Sequence, residues 1–436
     1  MHGFQFDDLI KQLSDVACGR PDKRVGNNTR YSLKDAILSA FGNFYSQSPS
    51  FLAYQRQMGQ SQGRNNAKSL FGIEAIPSDN QIRNLLDMLN PEPFFEIFRT
   101  NLKNLRESGY LQDFSFLGQW LVALDGVEYF SSKSLNCPQC SHRSHKNGTT
   151  TYFHSVLASA LVCPGKKQIF PLAPEFLTPQ VGHEKQDCER AAAQRWIATR
   201  GWLATYGVTV LGDDIFCCAP LCQSFRRQGF NFILSCKPLS HPSLYQSLAG
   251  LQRLGEISTK TLTRWNGRFK ETHHYRFYNG LPLCDSKDAL DINWCELTIS
   301  RQNTGEVLYQ NAWATLHRID TNNVELVVQA ARTRWKIENE HNNTLKNQGY
   351  HFEHNFGHGQ QFLAPFLLTL NLLAFLFHNI LALADSLYQK LLQSLGTRQT
   401  FFQDFLTLTR YFFFQSWRHL LLFMEAQLQP AQPESS

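Results

Sequence analysis

Two acidic positions in the sequence directly follow short apolar runs. Asp125 closes the run LVAL, and Asp213 follows VTVLG with Asp214 behind it. A sheet fixes a carboxylate at a strand end, and neighbouring acids either shift a pKa upward or hold a cation. Both positions also fit a structural explanation, because Asp125-Gly126 is a hairpin signal and Asp213 suits a turn or a helix N-cap. Neither acid alone decides between chemistry and turn.

A third acid lies on a predicted late helix. In RTRWKIENEHNNTLKNQ, Arg334, Glu338 and Asn342 recur every four residues, so the three side chains share one helix face. The structural alternative is a solvated helix in which Arg334 and Glu338 form an ion pair worth about 0.3 kcal/mol. The pattern becomes informative only together with the two earlier acids.

The hydrophobic pattern predicts the elements that would position these acids. WLVALDGVEYF, TYFHSVLASALVCP and KQIFPLAPEFL are typical of strands, and GHEKQDCERAAAQRWIATRGWL is typical of a helix. GVTVLGDD and NFILSCK predict two further strands with a helix between them. Strand, strand, strand, helix, strand, helix, strand is an α/β order, so we expect a mixed sheet covered by helices.

The flanking regions have a different texture. Residues 1–110 show helical spacing, with Ser32 and Ser78 as N-caps and QRQMGQSQGRNNAKS as a loop. Residues 240–310 alternate apolar and polar side chains, which predicts an antiparallel block. Its predicted turns are Asn266-Gly267, Asn279-Gly280 and Thr304-Gly305. Helical texture resumes at VELVVQAARTRWKIENEHNNTLKNQ and continues to the polar tail QPAQPESS, with no internal repeat.

The conjunction of these features resembles the DDE transposases of bacterial insertion sequences. Asp125 and Asp213 stand 88 residues apart, and Glu338 follows 125 residues later, with the β-rich block in between. The stretches that carry the resemblance are LVALDGVEYF, VTVLGDDIF with QGFNFILSCKP, and RTRWKIENEHNNTLKNQGY. It covers roughly residues 115–385, and its most specific part is the string Arg-Trp-x-Ile-Glu-Asn.

The resemblance implies an RNase H-like core interrupted by a β-rich insertion, with helical N- and C-terminal regions. The implied units are a helical N-terminal DNA-end-binding region (1–112), the first part of the core (113–238), the insertion (239–312), the second part of the core (313–385) and a helical C-terminal region with a polar tail (386–436).

Carried over position by position, Asp125 matches the first acid of the family and Glu338 the third. Asp213 rather than Asp214 matches the second, because the family places an aromatic residue three positions later and Phe216 stands there. Glu340 is the alternative for the third acid.

Two positions depart from the family pattern. Ala331 replaces a tyrosine three residues before the arginine, and the lysine usually seven residues after the glutamate appears at eight, as Lys346. Lys346 would therefore sit about 80° round an ideal helix from Glu338, unless a bulge adjusts it.

The resemblance implies a transposase that binds the terminal inverted repeats of its own element and cleaves and joins DNA strands. Two Mg²⁺ or Mn²⁺ ions need hard oxygen ligands, which Asp125, Asp213 and Glu338 would supply with Asp125 bridging. Arg334 and Lys346 would contact scissile-strand phosphates, and Asn342 and Arg332 complete the expected DNA-binding set. The expected partners are double-stranded transposon ends and target DNA, bound by a homodimer. The alternatives are a metal-dependent nuclease without strand transfer and an inactive DNA-binding remnant.

Cysteine and histidine residues form three further candidate groups. CPQCSHRSHKNG contains Cys137, Cys140, His142 and His145, whose compressed spacing favours a DNA-facing loop with Arg143 and Lys146 over a zinc site, without excluding zinc. The group Cys217, Cys218 and Cys222 fits the buried side of a helix. GYHFEHNFGHG, with His351, Glu353, His354 and His358, predicts a loop beside the active site rather than a metal site.

The β-rich block contains Trp265 and Trp294 among basic side chains. Transposases that form DNA hairpins stack a flipped base on an aromatic residue of this insertion. Core packing is the more frequent fate of a tryptophan, so the sequence does not predict hairpin formation. The basic residues around them are Lys260, Arg264, Arg268 and Lys270.

Bulk composition limits the class of protein without identifying it. Apolar residues make up 42% and charged residues 18% of 436, which excludes disordered and fibrous classes. The net charge of +6 is compatible with a polyanionic partner but not diagnostic of one. Eleven cysteines and an acidic first segment predict free thiols in a reducing cytosol. The resemblance to bacterial transposases implies a cytoplasmic, nucleoid-associated location.

The apolar run FLAPFLLTLNLLAFLFHNILALA is long enough to span a bilayer. However, Pro365, Asn371, His378 and Asn379 lie inside it, and buried amides in lipid need partners. We therefore predict a buried core helix over residues 362–384.

Overall fold

Helices surround one mixed β-sheet in the part of the chain that a computed structural model describes, which is residues 4–22, 24, 29–179 and 187–428. The α/β class predicted from the sequence is therefore confirmed. The polar tail at 429–436 and residues 182–186 of the predicted helix lie outside the described residues.

The α-helices of the described residues are α1 (Phe6–Cys18), α2 (Leu33–Tyr45), α3 (Phe51–Met58), α4 (Ser61–Phe71), α5 (Asp79–Asp87), α6 (Phe95–Glu107), α7 (Glu189–Thr199), α8 (Ala219–Arg227), α9 (Pro242–Leu254), α10 (Val324–Arg332), α11 (Thr344–Asn347), α12 (Leu363–Ala384), α13 (Ser386–Leu395), α14 (Arg398–Tyr411) and α15 (Trp417–Leu428). Short 3₁₀ segments span Glu92–Phe94, Gln112–Phe114 and Gly201–Tyr206, and a π-helical segment spans Ile337–Asn343.

The strands are β1 (Ser115–Phe116), β2 (Gln119–Ser132), β3 (Ser141–Ser144), β4 (Thr150–Val162), β5 (Phe170–Pro171), β6 (Glu175–Leu177), β7 (Val208–Gly212), β8 (Asn231–Ser235), β9 (Ser258–Trp265), β10 (Lys270–Pro282), β11 (Asp291–Arg301) and β12 (Val307–Thr315). Their main order across the sheet is β3-β4-β2-β7-β8-β12-β11-β10-β9, with β1 beside β2 and with β5 and β6 beside β4. Strands β2, β7 and β8 are parallel neighbours, and the other pairs are antiparallel.

The β-rich block continues the central sheet. β12 pairs with β8 from Trp313, opposite Ser235, to Thr315, opposite Ile233. The sequence missed α9, which precedes the strands of the block. It also misread Asn279-Gly280, which is a bulge within β10 and not a turn. The reason is that β11 pairs on both sides of the glycine, so the positive φ there kinks the strand without ending it.

The N-terminal helices and the C-terminal helices share one aromatic core. Phe6 of α1 lies 4.5 Å from the Tyr45 ring and 4.7 Å from the Trp417 ring. Tyr45 also contacts Phe402 of α14 at 5.4 Å and His378 of α12 at 4.3 Å, between ring centroids. Residues from both ends of the chain therefore bury one another.

Helix α12 is the apolar segment for which the sequence predicted a core position. By length and composition alone it could cross a membrane, but 89% of its most apolar window is buried inside the protein. It packs against α2, α5 and α13, and Thr369, Asn371, His378 and Asn379 each make at least one side-chain hydrogen bond. Asn371 donates to the Tyr350 carbonyl at 2.8 Å, and His378 Nδ1 lies 2.5 Å from the Tyr350 hydroxyl. The predicted core position of this segment is therefore confirmed.

The expected N-caps are confirmed, but the expected loop between them is wrong. Ser32 caps α2 through the Asp35 amide, and Ser78 forms a capping box with Gln81. The polar stretch QRQMGQSQGRNNAKS is instead the end of α3 and most of α4. Tertiary contact overrides its polarity, because Asn66 is buried and donates to the Thr409 and Phe412 carbonyls, both at 2.8 Å.

Candidate active site

Asp125 lies on β2, and Asp213 directly follows its parallel neighbour β7 at the equivalent position. The last paired positions of β2 and β7 are Ala123 and Leu211, and each acid stands two residues further on. Because parallel neighbours lie about 4.8 Å apart and side chains alternate with period two, the carboxylates leave the same face side by side.

Asp125 does not end its strand, which corrects the sequence-based expectation. β2 continues to Ser132 because β4 pairs with it at Asp125 and beyond. Asp125 lies opposite Ala158, and Gly126 lies opposite Leu157. This continuation excludes the Asp125-Gly126 turn. β7 ends at Gly212, directly before Asp213. Asp125 therefore lies on the part of β2 that is no longer paired with β7.

The second acid of the Asp213-Asp214 pair points elsewhere. Asp214 accepts hydrogen bonds from the Lys237 amide at 2.7 Å and from the Ser240 hydroxyl, and it lies 3.5 Å from His241. Asp213 accepts from the Ile215 amide at 3.0 Å and acts electrostatically on Asp125. Asp213 is thus the member of the pair that faces the first acid.

The helix face predicted to carry the third acid meets Asp125. Asn342 Nδ2 donates to Asp125 Oδ2 at 2.8 Å, and Arg334 Nη1 lies 4.0 Å from Asp125 Oδ1. Arg334 Nη2 also binds Glu338 Oε1 at 2.6 Å. Arg334, Asn342, Glu338 and Asp125 therefore form one contact group with Arg334 at its centre.

The helix that carries Glu338 is π-helical from Ile337 to Asn343. A π turn takes up one residue more than an α turn, so Lys346, eight residues after Glu338, takes the rotational position of the seventh residue in a regular helix. The π-helical segment is thus a bulge of the kind that would adjust the position of Lys346, and it removes the rotational offset from Glu338 that an ideal helix would give. Lys346 Nζ binds Glu353 Oε1 at 2.7 Å.

Glu340 and Arg332 lie on another side of this helix. Glu340 contacts Lys336 at 3.4 Å, and both line a cleft of about 650 Å³ between the helix and the outer strands. Arg332 also lines this cleft and lies over the Tyr309 ring at 5.0 Å. Two predicted site residues therefore line this cleft and lie apart from the group around Asp125. They are Glu340, the alternative for the third acid, and Arg332, an expected DNA contact.

A fourth carboxylate at the site was not found by sequence reasoning. Glu189 begins α7, and a side chain on Gly126 would collide with its carboxylate. Burial and the neighbouring Asp213 raise the pKa of Glu189. The only signal in the sequence is Gly126. The Asp-Gly pair suggests a turn, but the glycine instead leaves room for the Glu189 carboxylate.

The environment of Asp125 opposes its ionisation. Burial is the largest cause, Glu338, Asp213 and Glu189 add to it, and Arg334 acts in the opposite direction. The net effect raises the pKa of Asp125 from 3.8 to about 7. In the part of the chain that the structure describes, the carboxylate oxygens of the four acids do not all lie within 4.8 Å of one another. Arg334 contacts both Asp125 and Glu338 and lies between them.

The Cys/His groups are arranged differently from the sequence expectation. Cys137 and Cys140 meet His154 of β4 and His358, whereas His145 contacts Thr151 at 2.8 Å. Burial lowers the pKa of His154 to about 4, and the nearby His358 contributes. All eleven cysteines are free. Of the three expected on the buried side of a helix, only Cys222 lies on α8, where it is buried, whereas Cys217 is buried ahead of the helix and the N-cap residue Cys218 is half-buried.

The two tryptophans of the outer strands have different environments. Trp294 is fully buried and lies 5.5 Å from the Arg276 guanidinium carbon, so it serves packing. Trp265, at the end of β9, is 65% exposed.

Compared with known proteins, the chain matches no family model and no curated protein.

Proposed function

We propose that the protein is a DDE-type transposase that cleaves and joins DNA strands with divalent metal held by Asp125, Asp213 and Glu338. One observation carries the proposal. The helix face of Arg334, Glu338 and Asn342 lies against Asp125, and Asp213, directly after the parallel neighbour β7, acts electrostatically on Asp125.

An RNase H-like core is supported by the strand arrangement. Strands β5 and β6 lie beside β4, followed by β2, β7 and β8, and β2, β7 and β8 are parallel. The strands β9–β12 enter between β8 and the Glu338 helix, which is where the resemblance places the insertion at 239–312. The proposed core thus comprises residues 113–238 and 313–385.

The side chains fit Mg²⁺ or Mn²⁺ because Asp213 and Glu338 lie near enough to act electrostatically on Asp125, and all three offer hard carboxylate oxygens. Burial is the largest cause of the raised pKa of Asp125, and Glu338, Asp213 and Glu189 add to it, so a cation bound there would favour the ionised carboxylate. When bound, two such ions acidify the attacking water or 3′-hydroxyl and stabilise the leaving oxygen. Asn342 orients Asp125 through its hydrogen bond, and Arg334 partly neutralises Asp125 and Glu338.

The proposed substrate is double-stranded DNA, bound by two copies of the chain. Arg334 and Lys346 supply positive charge for scissile-strand phosphates, each now paired with a glutamate, Glu338 and Glu353 respectively. Guanidinium and ammonium groups are both suited to binding DNA phosphates. Such contacts position the strand without reading its sequence.

The test uses purified protein, Mg²⁺ and linear DNA that carries the sequences flanking the coding region. We expect cleavage at the element ends and joining to target DNA by the wild-type protein. Glu338→Gln should reduce cleavage by more than about 100-fold with DNA binding retained, because charge stabilisation at the reacting phosphate is lost.

Glu340→Gln is the matched control, since it makes the same change two residues away on the cleft side, and it should retain activity. Cleavage without joined products would support a nuclease instead. Binding without cleavage by the wild-type chain would identify an inactive remnant.

A further inference from the structure

Four potential metal ligands from three parts of the chain meet outside the acidic site. Cys137 and Cys140 lie in the loop after β2, His154 lies on β4, and His358 lies in the segment before α12. Their ligand atoms all lie within 4.8 Å of one another. The Cys140 amide donates to the Cys137 carbonyl at 3.1 Å, which closes the tight turn of a Cys-x-x-Cys pair.

The distances fit the edges of a tetrahedron around one ion. With Zn–S near 2.3 Å and Zn–N near 2.0–2.1 Å, a tetrahedral site has S–S edges of about 3.8 Å and S–N edges of about 3.5 Å. The two sulfurs of Cys137 and Cys140 are 3.9 Å apart. His154 Nε2 lies 3.5 Å from Cys137 Sγ and 3.6 Å from Cys140 Sγ, and His358 Nε2 lies 3.6 Å from Cys140 Sγ.

We propose that Cys137, Cys140, His154 and His358 bind a structural zinc ion. A disulfide is excluded as the explanation, because it would bring the two sulfurs to about 2.0 Å. Two thiolates and two imidazoles in a tetrahedron select zinc over magnesium, whose ligands are oxygens. With four protein ligands the site is closed, so it differs in chemistry from the open carboxylate site.

The surroundings of the four ligands are apolar and aromatic. The Tyr129 ring stacks on His154 with centroids 5.7 Å apart, and Phe130 lies 4.3 Å from the His358 ring. Cys140 and His154 are buried. Such a shell excludes water from the ligands and orients both imidazoles.

The zinc site ties the segment after the Glu338 helix to the β2–β4 hairpin. His358 is its ligand from that segment, which is also held by Arg83 donating to the Phe356 carbonyl at 2.7 Å. Asp87 of α5 accepts from the backbone amides of residues 360–363, including Leu363 at 3.0 Å. The ion therefore fixes the connection through which the Glu338 helix continues into α12.

The experiment measures zinc in the full-length, tag-free protein by mass spectrometry after purification without added metal. We expect about one zinc per chain in a closed four-ligand site. His358→Ala should lower the content to about a tenth or less, because a structural site needs all four ligands. His358→Cys should retain zinc, since a thiolate replaces the imidazole, and this rescue distinguishes ligand loss from misfolding.

Matched controls use residues of the same types outside the cluster. His145→Ala and Cys18→Ser should keep the full zinc content. Cobalt reconstitution of the wild-type protein should give the visible absorption of a tetrahedral Co²⁺ site with thiolate charge transfer. Zinc content and cobalt absorption do not depend on DNA cleavage. The zinc proposal is therefore tested separately from the proposed function.

Two results would overturn the zinc proposal. The first is a wild-type chain that remains free of zinc after reconstitution and dialysis. The second is zinc that persists in His358→Ala but is lost in His241→Ala, because that would place the ion at the other buried group, Cys217, Cys236 and His241.

Discussion

At the residue scale, Asp125 is the side chain whose charge state the fold constrains most clearly at the acidic site. Its carboxylate receives one hydrogen bond from Asn342 and partial neutralisation from Arg334, yet burial and three neighbouring acids dominate. Two measurable properties, stability and metal affinity, should therefore depend on pH through this one group.

Asp125→Asn should stabilise the metal-free protein at pH 8. The folded pKa of about 7 exceeds the unfolded value of 3.8, so the wild type loses stability as pH rises through this interval, whereas asparagine does not. We expect the variant to gain about 1–3 kcal/mol at pH 8, with the difference narrowing towards pH 4. Urea unfolding in EDTA measures it.

The control for this variant is Asp113→Asn, at a carboxylate that is 80% exposed and paired with Lys166. It should show no such pH-dependent gain. An Asp125→Asn protein that is less stable than the wild type at pH 8 would contradict the expected sign.

Magnesium binding should strengthen with pH. The ion needs the ionised carboxylate, so protons compete with it below the Asp125 pKa of about 7. The apparent Mg²⁺ affinity, measured from thermal stabilisation, should fall about fivefold from pH 7 to pH 6 and be lost in Asp125→Asn. Equal stabilisation of both proteins by Mg²⁺ would argue against binding at this carboxylate.

At the element scale, α4 depends on a contact with the far end of the chain. Asn66 donates to the Thr409 and Phe412 carbonyls and accepts from the Phe414 amide at 2.9 Å. Asn66→Ala should lower the free energy of unfolding by about 2–4 kcal/mol, because it leaves buried backbone groups unpaired. Denaturant unfolding provides the measurement.

Asn65→Ala is the matched control, because it makes the same change at the adjacent exposed position of α4. It should be neutral or slightly stabilising, since alanine has the higher helix propensity. A similar loss in both variants would contradict the assignment of the effect to the buried hydrogen bonds of Asn66.

The same helix shows why part of the fold could not be predicted from sequence. Periodic apolar patterns located the strands of the core, and the capping serines marked α2 and α5, because those signals are local. α4 carries polar residues whose partners lie more than 340 positions away. The pattern of a short window contains no information about such a partner.

The candidate sites follow the same division between local and distant signals. The spacing of Arg334, Glu338 and Asn342 indicated one helix face, and the apolar runs before Asp125 and Asp213 indicated two strands. The contribution of Glu189 depends on close packing at Gly126, which spacing does not encode. Likewise, the partners of Cys137 and Cys140 are not the nearest histidines in the sequence but His154 and His358.

At the scale of the whole molecule, the two ends of the chain form a common core. Helices α1 and α2 pack with α12, and Phe6, Tyr45, Phe402 and Trp417 contact one another. The predicted unit 1–112 should therefore not fold alone. Expressed by itself, it should lack a cooperative thermal transition and bind hydrophobic dyes.

The comparison for this fragment is the full-length protein, which should unfold cooperatively under the same conditions. A fragment of residues 1–112 with a sharp transition and dispersed amide resonances would show that α12 and the C-terminal helices are dispensable for its core.

The position of α12 has a consequence for biosynthesis. Helix α2 is buried over nearly its whole length, and its largest apolar partner is a segment more than 300 residues later. A ribosome therefore exposes the apolar faces of the first helices long before their partner is translated. Since contacts of such sequence separation slow folding, the nascent chain spends most of its synthesis in need of protection from aggregation.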